Sequence, residues 1–156
     1  MPKVELQRTF NVPLDKVIEY FGDHELYNRQ HARSDTTCTI ANRRDNEVVV
    51  EVKQQVSGQT INFTTKTVYR LPQSIETETL SGIAAGSRQK LTFESVSEGT
   101  KVTYVTDFKM RFGGALGKAF RLVSGKMMKK MTKETMEEAA EVDRKRLEGD
   151  QPPAPQ

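Results

Sequence analysis

The sequence has no tryptophan and a single cysteine, Cys38, in 156 residues. A lone cysteine excludes an intramolecular disulfide framework and any zinc cluster built on cysteines. Long apolar runs are missing too. No stretch reaches the roughly 18 apolar residues that a membrane-spanning helix needs. Met1-Pro2-Lys3-Val4-Glu5 has no apolar core of the secretory kind, so no signal peptide is expected, and a cytoplasmic location is. Apolar residues are sparse. They make up 35% of the chain when Tyr is counted, and about 39% when Gly replaces Tyr, against ~45–50% in ordinary globular domains. Lys and Arg exceed Asp and Glu only by 24 to 21.

The apolar residues that are present are patterned. Val4, Leu6, Phe10 and Val12 share one parity and Lys3, Glu5, Gln7, Thr9 and Asn11 the other, which is a half-buried strand. Pro13 ends it and suits the first turn of a helix. Val17, Tyr20 and Phe21 follow at helical spacing, Gly22 breaks the helix, and Leu26 with Tyr27 marks a second short one. The pair forms a helical insert from Leu14 to His31.

Six segments rich in Val, Thr, Ile and Phe come next, at about 34–43, 46–56, 60–70, 74–80, 87–96 and 100–111. Asp45-Asn46, Ser57-Gly58, Leu71-Pro72, Ser81-Gly82 and Ser97-Glu98-Gly99 separate them with turn chemistry. Such short connections predict antiparallel hairpins. After Gly113-Gly114 the period changes. Leu116, Phe120, Val123, Met127, Met131 and Val142 recur at helical steps, which predicts a helix of about 30 residues with one apolar stripe. A sheet with one apolar face must cover it, and this helix is the element long enough to do so. A compact chain of this length is roughly 40 Å wide, whereas 35 helical residues span about 52 Å. Either Gly113 to about Gly125 is irregular, or the turns near Arg144–Glu148 overhang.

The order of elements resembles the helix-grip fold of the START-like (SRPBCC) superfamily, which includes polyketide cyclases and dehydratases, coenzyme Q-binding proteins and relatives of the birch-pollen allergen. The carriers are Phe10-Asn11-Val12-Pro13-Leu14-Asp15-Lys16-Val17, then Tyr20-Phe21-Gly22-Asp23, and Phe112-Gly113-Gly114-Ala115-Leu116-Gly117 before the last helix. Many relatives carry a Trp near the end of the second short helix. Here His24, Tyr27 and His31 stand in that region. The resemblance implies an α+β fold: a seven-stranded curved antiparallel sheet wrapped around a long C-terminal helix, with two short helices between strands 1 and 2. It spans residues 1–148 as a single domain. Residues 149–156, with three prolines, are expected to be a disordered tail. The resemblance also implies a cavity between sheet and helix that holds a hydrophobic or amphipathic small molecule such as a lipid, polyketide or quinone. No cofactor and no metal is implied.

Candidate cavity residues follow from parity. Arg8 falls with Phe10 on the inward face of the first strand. It either meets a ligand carboxylate or phosphate or snorkels to water. Thr65 and Thr67 share the parity of Phe63. Thr77 follows Ile75, and Thr106 follows Tyr104. These threonines either line a partly wet cavity or reflect strand preference. Phe120, Val123 and Met127 are the candidates on the helix, and Gly113, Gly114 and Gly117 form the candidate mouth loop. His24 and His31 lack metal-ligand spacing and read as a solvent-exposed pair. Cys38 reads as a buried, inert thiol. From Lys118 to Lys133 there are six cations and no acid, and from Glu134 to Asp143 five acids and no base. The basic stretch either forms a solvated outer face or docks on anionic lipid. Phe120 alone interleaves it with an aromatic ring, so specific nucleic-acid binding is not expected. Three readings stand: a small-molecule binding protein, a cyclase or dehydratase-type enzyme using the same cavity, and a module that docks through its basic helix.

Overall fold

The computed structural model describes residues 3–56, 58–109 and 125–149. Seven strands form one antiparallel sheet. They are β1 (Lys3–Phe10), β2 (Thr36–Arg44), β3 (Glu47–Val56), β4 (Gln59–Arg70), β5 (Ser74–Thr79), β6 (Arg88–Val96) and β7 (Gly99–Asp107). Their order across the sheet is β1-β7-β6-β5-β4-β3-β2, so the chain's first strand closes against its last. Every other pair is a sequential hairpin, as the short turns predict. Helices α1 (Leu14–Gly22) and α2 (His24–Gln30) form the insert. The break falls at Asp23, whose Oδ1 accepts from the Leu26 amide at 3.1 Å and caps α2.

Helix α3 runs from Gly125 to Arg144 and ends in a wider π turn, Lys145–Gly149. Leu147 in that turn is buried, so the last turn is held against the body and does not overhang. The start of the predicted helix, including Leu116, lies outside the described residues, as does the tail at 150–156. The face that α3 buries is Met136, Ala140, Asp143 and Leu147, at steps of four, three and four. This corrects the predicted stripe: Met127 and Met131 are more than half exposed. The inward phase alternates Met136 and Leu147 with Ala140 and Asp143, a small and a polar side chain that do not mark an apolar stripe.

The apolar interior falls into two clusters. One joins β1, α1, β5, β6, β7 and α3 through Phe10, Val17, Phe21, Ile75, Val102 and their neighbours. The other is Val48, Val50 and Val52 on β3, with Phe63 packed against it. Tyr69 touches both. A domain of this size ordinarily has one contiguous core. Here the buried residues fall into two groups, bridged by the half-buried Tyr69.

The turn into β7 closes on β1. Gly99 has φ of 140°, and a Cβ there would collide with the Phe10 carbonyl oxygen and crowd the Val12 amide. Next to it, Thr100 is fully buried and donates its hydroxyl to the Val12 carbonyl at 2.8 Å. Gly99→Ala is therefore expected to cost about 2 kcal/mol or more, because both conformation and space forbid the methyl group. Urea unfolding measures it, and an unchanged midpoint would contradict this account of the turn.

Candidate functional site

Two cavities adjoin inside the sheet, and buried members of both core clusters line the smaller one. The larger, about 550 Å³, lies between the sheet and α3. Ile61, Phe63, Ile83 and Phe108 form one side, and Met128, Met131, Met136 and Ala139 of α3 form the other. The smaller, about 220 Å³, lies under the insert and is lined by Phe21, His24, Tyr27, Asn28, Val50, Val52, Tyr69 and Leu91, among others. Thr65, Thr77 and Gln89 line both, so the two are chambers of one site.

Polar groups in the walls are partly neutralised by one another. Thr67 and Thr77 sit opposite each other on β4 and β5, and their hydroxyls hydrogen-bond at 3.0 Å. The Thr106 hydroxyl, on the wall of the larger chamber, is buried and has no hydrogen-bond partner among the described residues. In the smaller chamber His24 is buried. Its Nδ1 lies 3.1 Å from the Tyr69 hydroxyl and its Nε2 lies 3.0 Å from Asn28 Nδ2. Burial pushes the His24 imidazole below its ordinary range, against the pull of Glu25 and Asp23. Burial also pushes the Tyr69 phenol up to about 12. Cys38 borders this chamber from the edge strand β2. Its residue is exposed, not buried as expected, because no layer covers β2.

A second polar cluster holds α3 in place. Asp143 is completely buried. Its Oδ1 accepts from the Tyr20 hydroxyl at 2.7 Å and lies 2.7 Å from His31 Nε2, and its Oδ2 accepts from the Tyr104 hydroxyl at 2.8 Å. One carboxylate thus ties α3 to α1, to the end of α2 and to β7. His31 stacks on Tyr27 with ring centroids 4.3 Å apart. The expectation of a solvent-exposed histidine pair is therefore wrong for both residues. Each sits on the inner side of the insert and finds a partner there.

The remaining candidates distribute as follows. Phe63, Thr65, Thr77 and Thr106 line the larger chamber, and Thr65, Thr67 and Thr77 the smaller. Phe10 is packed into the core, and Tyr104 is committed to Asp143. Arg8 is exposed, and its guanidinium donates to the Gln7 carbonyl. Its charge helps to hold the Glu141 carboxyl below the usual range, after the larger effects of Arg144 and Lys145. It has thus reached water along the flank of α3. Met127 is on the outer side with exposed Lys126, Lys129 and Lys130. Phe120, Val123, Gly113, Gly114 and Gly117 lie outside the described residues. No three His, Cys, Asp or Glu side chains converge as metal ligands among the described residues. No described helix is long and apolar enough to cross a membrane. Sequence reasoning missed Asp143, His24, Asn28 and Tyr69 as site-forming residues. For Asp143 a signal existed: it shares the α3 phase of Met136, Ala140 and Leu147.

A family model described as polyketide cyclase / dehydrase and lipid transport matches residues 1–148. A comparison with curated proteins gives no match. Among solved structures, a protein from Thermus thermophilus superposes with a TM-score of 0.74 at 14% identity, covering 97% of this chain and 100% of that one. A START superfamily protein from Mycobacterium smegmatis gives 0.70 at 18% identity, covering 94% and 97%. The Zhui aromatase/cyclase from a Streptomyces species gives 0.66 at 18%, covering 95% and 92%. At these identities the likeness is one of fold.

The Asp143 cluster makes two measurable demands. Asp143→Asn turns an amide toward three groups that now face a carboxylate, and is expected to destabilise the fold by about 3 kcal/mol. A urea midpoint equal to wild type would refute the anchoring role. The second demand concerns pH. All four tyrosines are held above their ordinary value, chiefly by burial, with Asp143 adding to the shift at Tyr20, Tyr27 and Tyr104. Unfolded tyrosine ionises near ~10. The stability gained by keeping these phenols neutral is therefore fully present below that pH and lost as pH rises beyond it. Tyrosinate absorbance is expected to stay low past the ordinary value and then to rise together with unfolding. A smooth titration of the folded protein at the ordinary value would contradict the burial.

Proposed function

Since the chain belongs to the polyketide cyclase / dehydrase and lipid transport family, we propose that it binds one hydrophobic or amphipathic small molecule in the two-chambered cavity between sheet and α3. The observation that carries this reading is the split core. Both clusters present apolar side chains to the smaller chamber, and the larger chamber falls within the roughly 300–1,000 Å³ usual for ligand sites. Unfilled apolar volume is costly, because the lining atoms lose their contacts. An apolar occupant restores those contacts and gains about 25 cal/mol for each Å² removed from water, before ordering costs. The three methionines that face the chamber suit a ligand of irregular shape, since their unbranched side chains repack readily.

A second reading, a cyclase or dehydratase-type enzyme, has one observation in its favour. His24 and Tyr69, both displaced from their ordinary pKa, touch each other in the smaller chamber. Groups so displaced in a cleft are candidates for proton chemistry. Turnover of a bound ligand that disappears in His24→Gln while binding persists would favour this reading.

Cavity binding is tested by displacement or titration with a neutral apolar fluorophore, N-phenyl-naphthylamine. Ala139→Trp places an indole from α3 in the larger chamber. It is expected to weaken the fluorophore by about tenfold or more, the loss of roughly 1.4 kcal/mol of binding, with little change in unfolding midpoint. Undiminished binding in this variant would show that the fluorophore sits elsewhere.

A further inference from the structure

The two chambers differ in what they offer a ligand. The larger one is walled mainly by aliphatic, aromatic and thioether groups. The smaller one ends in a directional chain of hydrogen bonds. Asn28 presents its Nδ2, which only donates, to His24 Nε2 at 3.0 Å. That nitrogen must then be the acceptor of the neutral imidazole, so the ring proton is on Nδ1. Nδ1–H donates to the Tyr69 oxygen, 3.1 Å away. With its oxygen accepting from His24, Tyr69 keeps its own proton to give. The side chain lines the smaller chamber, and among the described residues its hydroxyl has no other side-chain partner.

The electrical surroundings narrow the choice of acceptor. No Lys, Arg, Asp or Glu lines the smaller chamber among the described residues. The charges that act on His24 and Tyr69 are Asp23 at the cap of α2, Glu25 of α2 and Arg43 of β2, two carboxylates and one guanidinium. Arg43 is held by Glu25 at 2.8 Å. The larger chamber has Arg88 at its border, mostly exposed and 3.8 Å from Glu78. From the described residues, an anionic head would thus lose water without gaining a free cation, which is unfavourable. An uncharged oxygen loses little and gains the Tyr69 proton.

We propose that the Asn28–His24–Tyr69 chain is the head-group end of the site, and that it selects an apolar molecule carrying an uncharged carbonyl or hydroxyl oxygen over a carboxylate of the same length. This rests on the cavity reading above and specifies its ligand class. Tyr69 touches the ligand. His24 and Asn28 are positioning residues that orient its proton.

The test uses the full chain loaded with N-phenyl-naphthylamine. The competitors are a long-chain methyl ketone and the fatty acid of equal chain length, at a pH where the acid is ionised. The ketone is expected to displace the fluorophore at a concentration about tenfold below the acid. Tyr69→Phe keeps the ring and removes the donor. It is expected to weaken the ketone about three- to tenfold relative to the fluorophore and the acid, the value of one neutral hydrogen bond. Asn28→Asp reverses the chain: an aspartate accepts from Nε2–H, Nδ1 then accepts a hydrogen bond from the Tyr69 hydroxyl, and the ketone loses the same factor. A merely structural role for Asn28 would weaken ketone and fluorophore together. An acid that competes as well as the ketone overturns the head-group assignment, and so does a ketone unaffected by either substitution. A fluorophore that does not bind overturns the cavity reading and the assignment resting on it, so the two failures are told apart.

Discussion

The fold depends on how a long helix is held over a sheet that it does not fully touch. A helix usually docks by burying a continuous apolar stripe. Here the middle of the stripe faces open volume, and one buried carboxylate takes over the anchoring. Asp143 is reached by two phenol hydroxyls and an imidazole nitrogen, from three different elements. A buried charge is tolerated only when its acceptor sites are filled, and these donors fill them. The geometry is demanding in both directions. If α3 slipped by one residue, Val142 or Arg144 would face the two tyrosines, and either would leave their hydroxyls unpaired. The network therefore fixes the register of the helix in a way that apolar contact alone does not.

The same cluster explains the position of the insert. Tyr20 in the last turn of α1 and His31 at the end of α2 both reach Asp143. Between them Tyr20, Phe21 and Tyr27 pack ring on ring, with centroids 4.9 to 5.8 Å apart. The insert is thus fixed on the side of α3. On its other side it carries His24 and Asn28 to the smaller chamber. One helical hairpin serves as a clamp at one face and as a chamber wall at the other.

The sheet was legible in the sequence because period-two alternation and turn residues are local signals. The six strands after the insert lie within two or three residues of where those signals place them, except that the last stops at Asp107, short of 111. The start and break of the insert were legible for the same reason, through Pro13 and Gly22. The seven-stranded sheet, long C-terminal helix and paired short helices are those of the START-like fold, and that part of the resemblance holds. The interior chemistry was not legible, because it depends on which elements meet. Asp143 closes a run of five acids whose other members are exposed, and nothing nearby in sequence marks it as different. His24 and His31 look like surface residues of a polar helix until Tyr69 and Asp143 are brought to them from 45 and 112 residues away. Arg8 fails in the opposite way. Its parity is inward, but its strand lies at the sheet margin, where a long side chain escapes along the flank of α3.

The anchoring of α3 is concentrated toward its C-terminal end, from Met136 to Leu147, whereas Met128, Met131 and Thr132 nearer its start border the larger chamber. Anchoring and chamber wall thus overlap only around Met136 and Ala139: the turns before them border open volume and the turns after them are packed. A lineage can exchange side chains in the earlier turns, and so change the shape of the molecule accepted, without disturbing the residues that keep the chain folded. The helix is a hinge of evolvability: fixed where substitution is punished, and free to vary where novelty is useful.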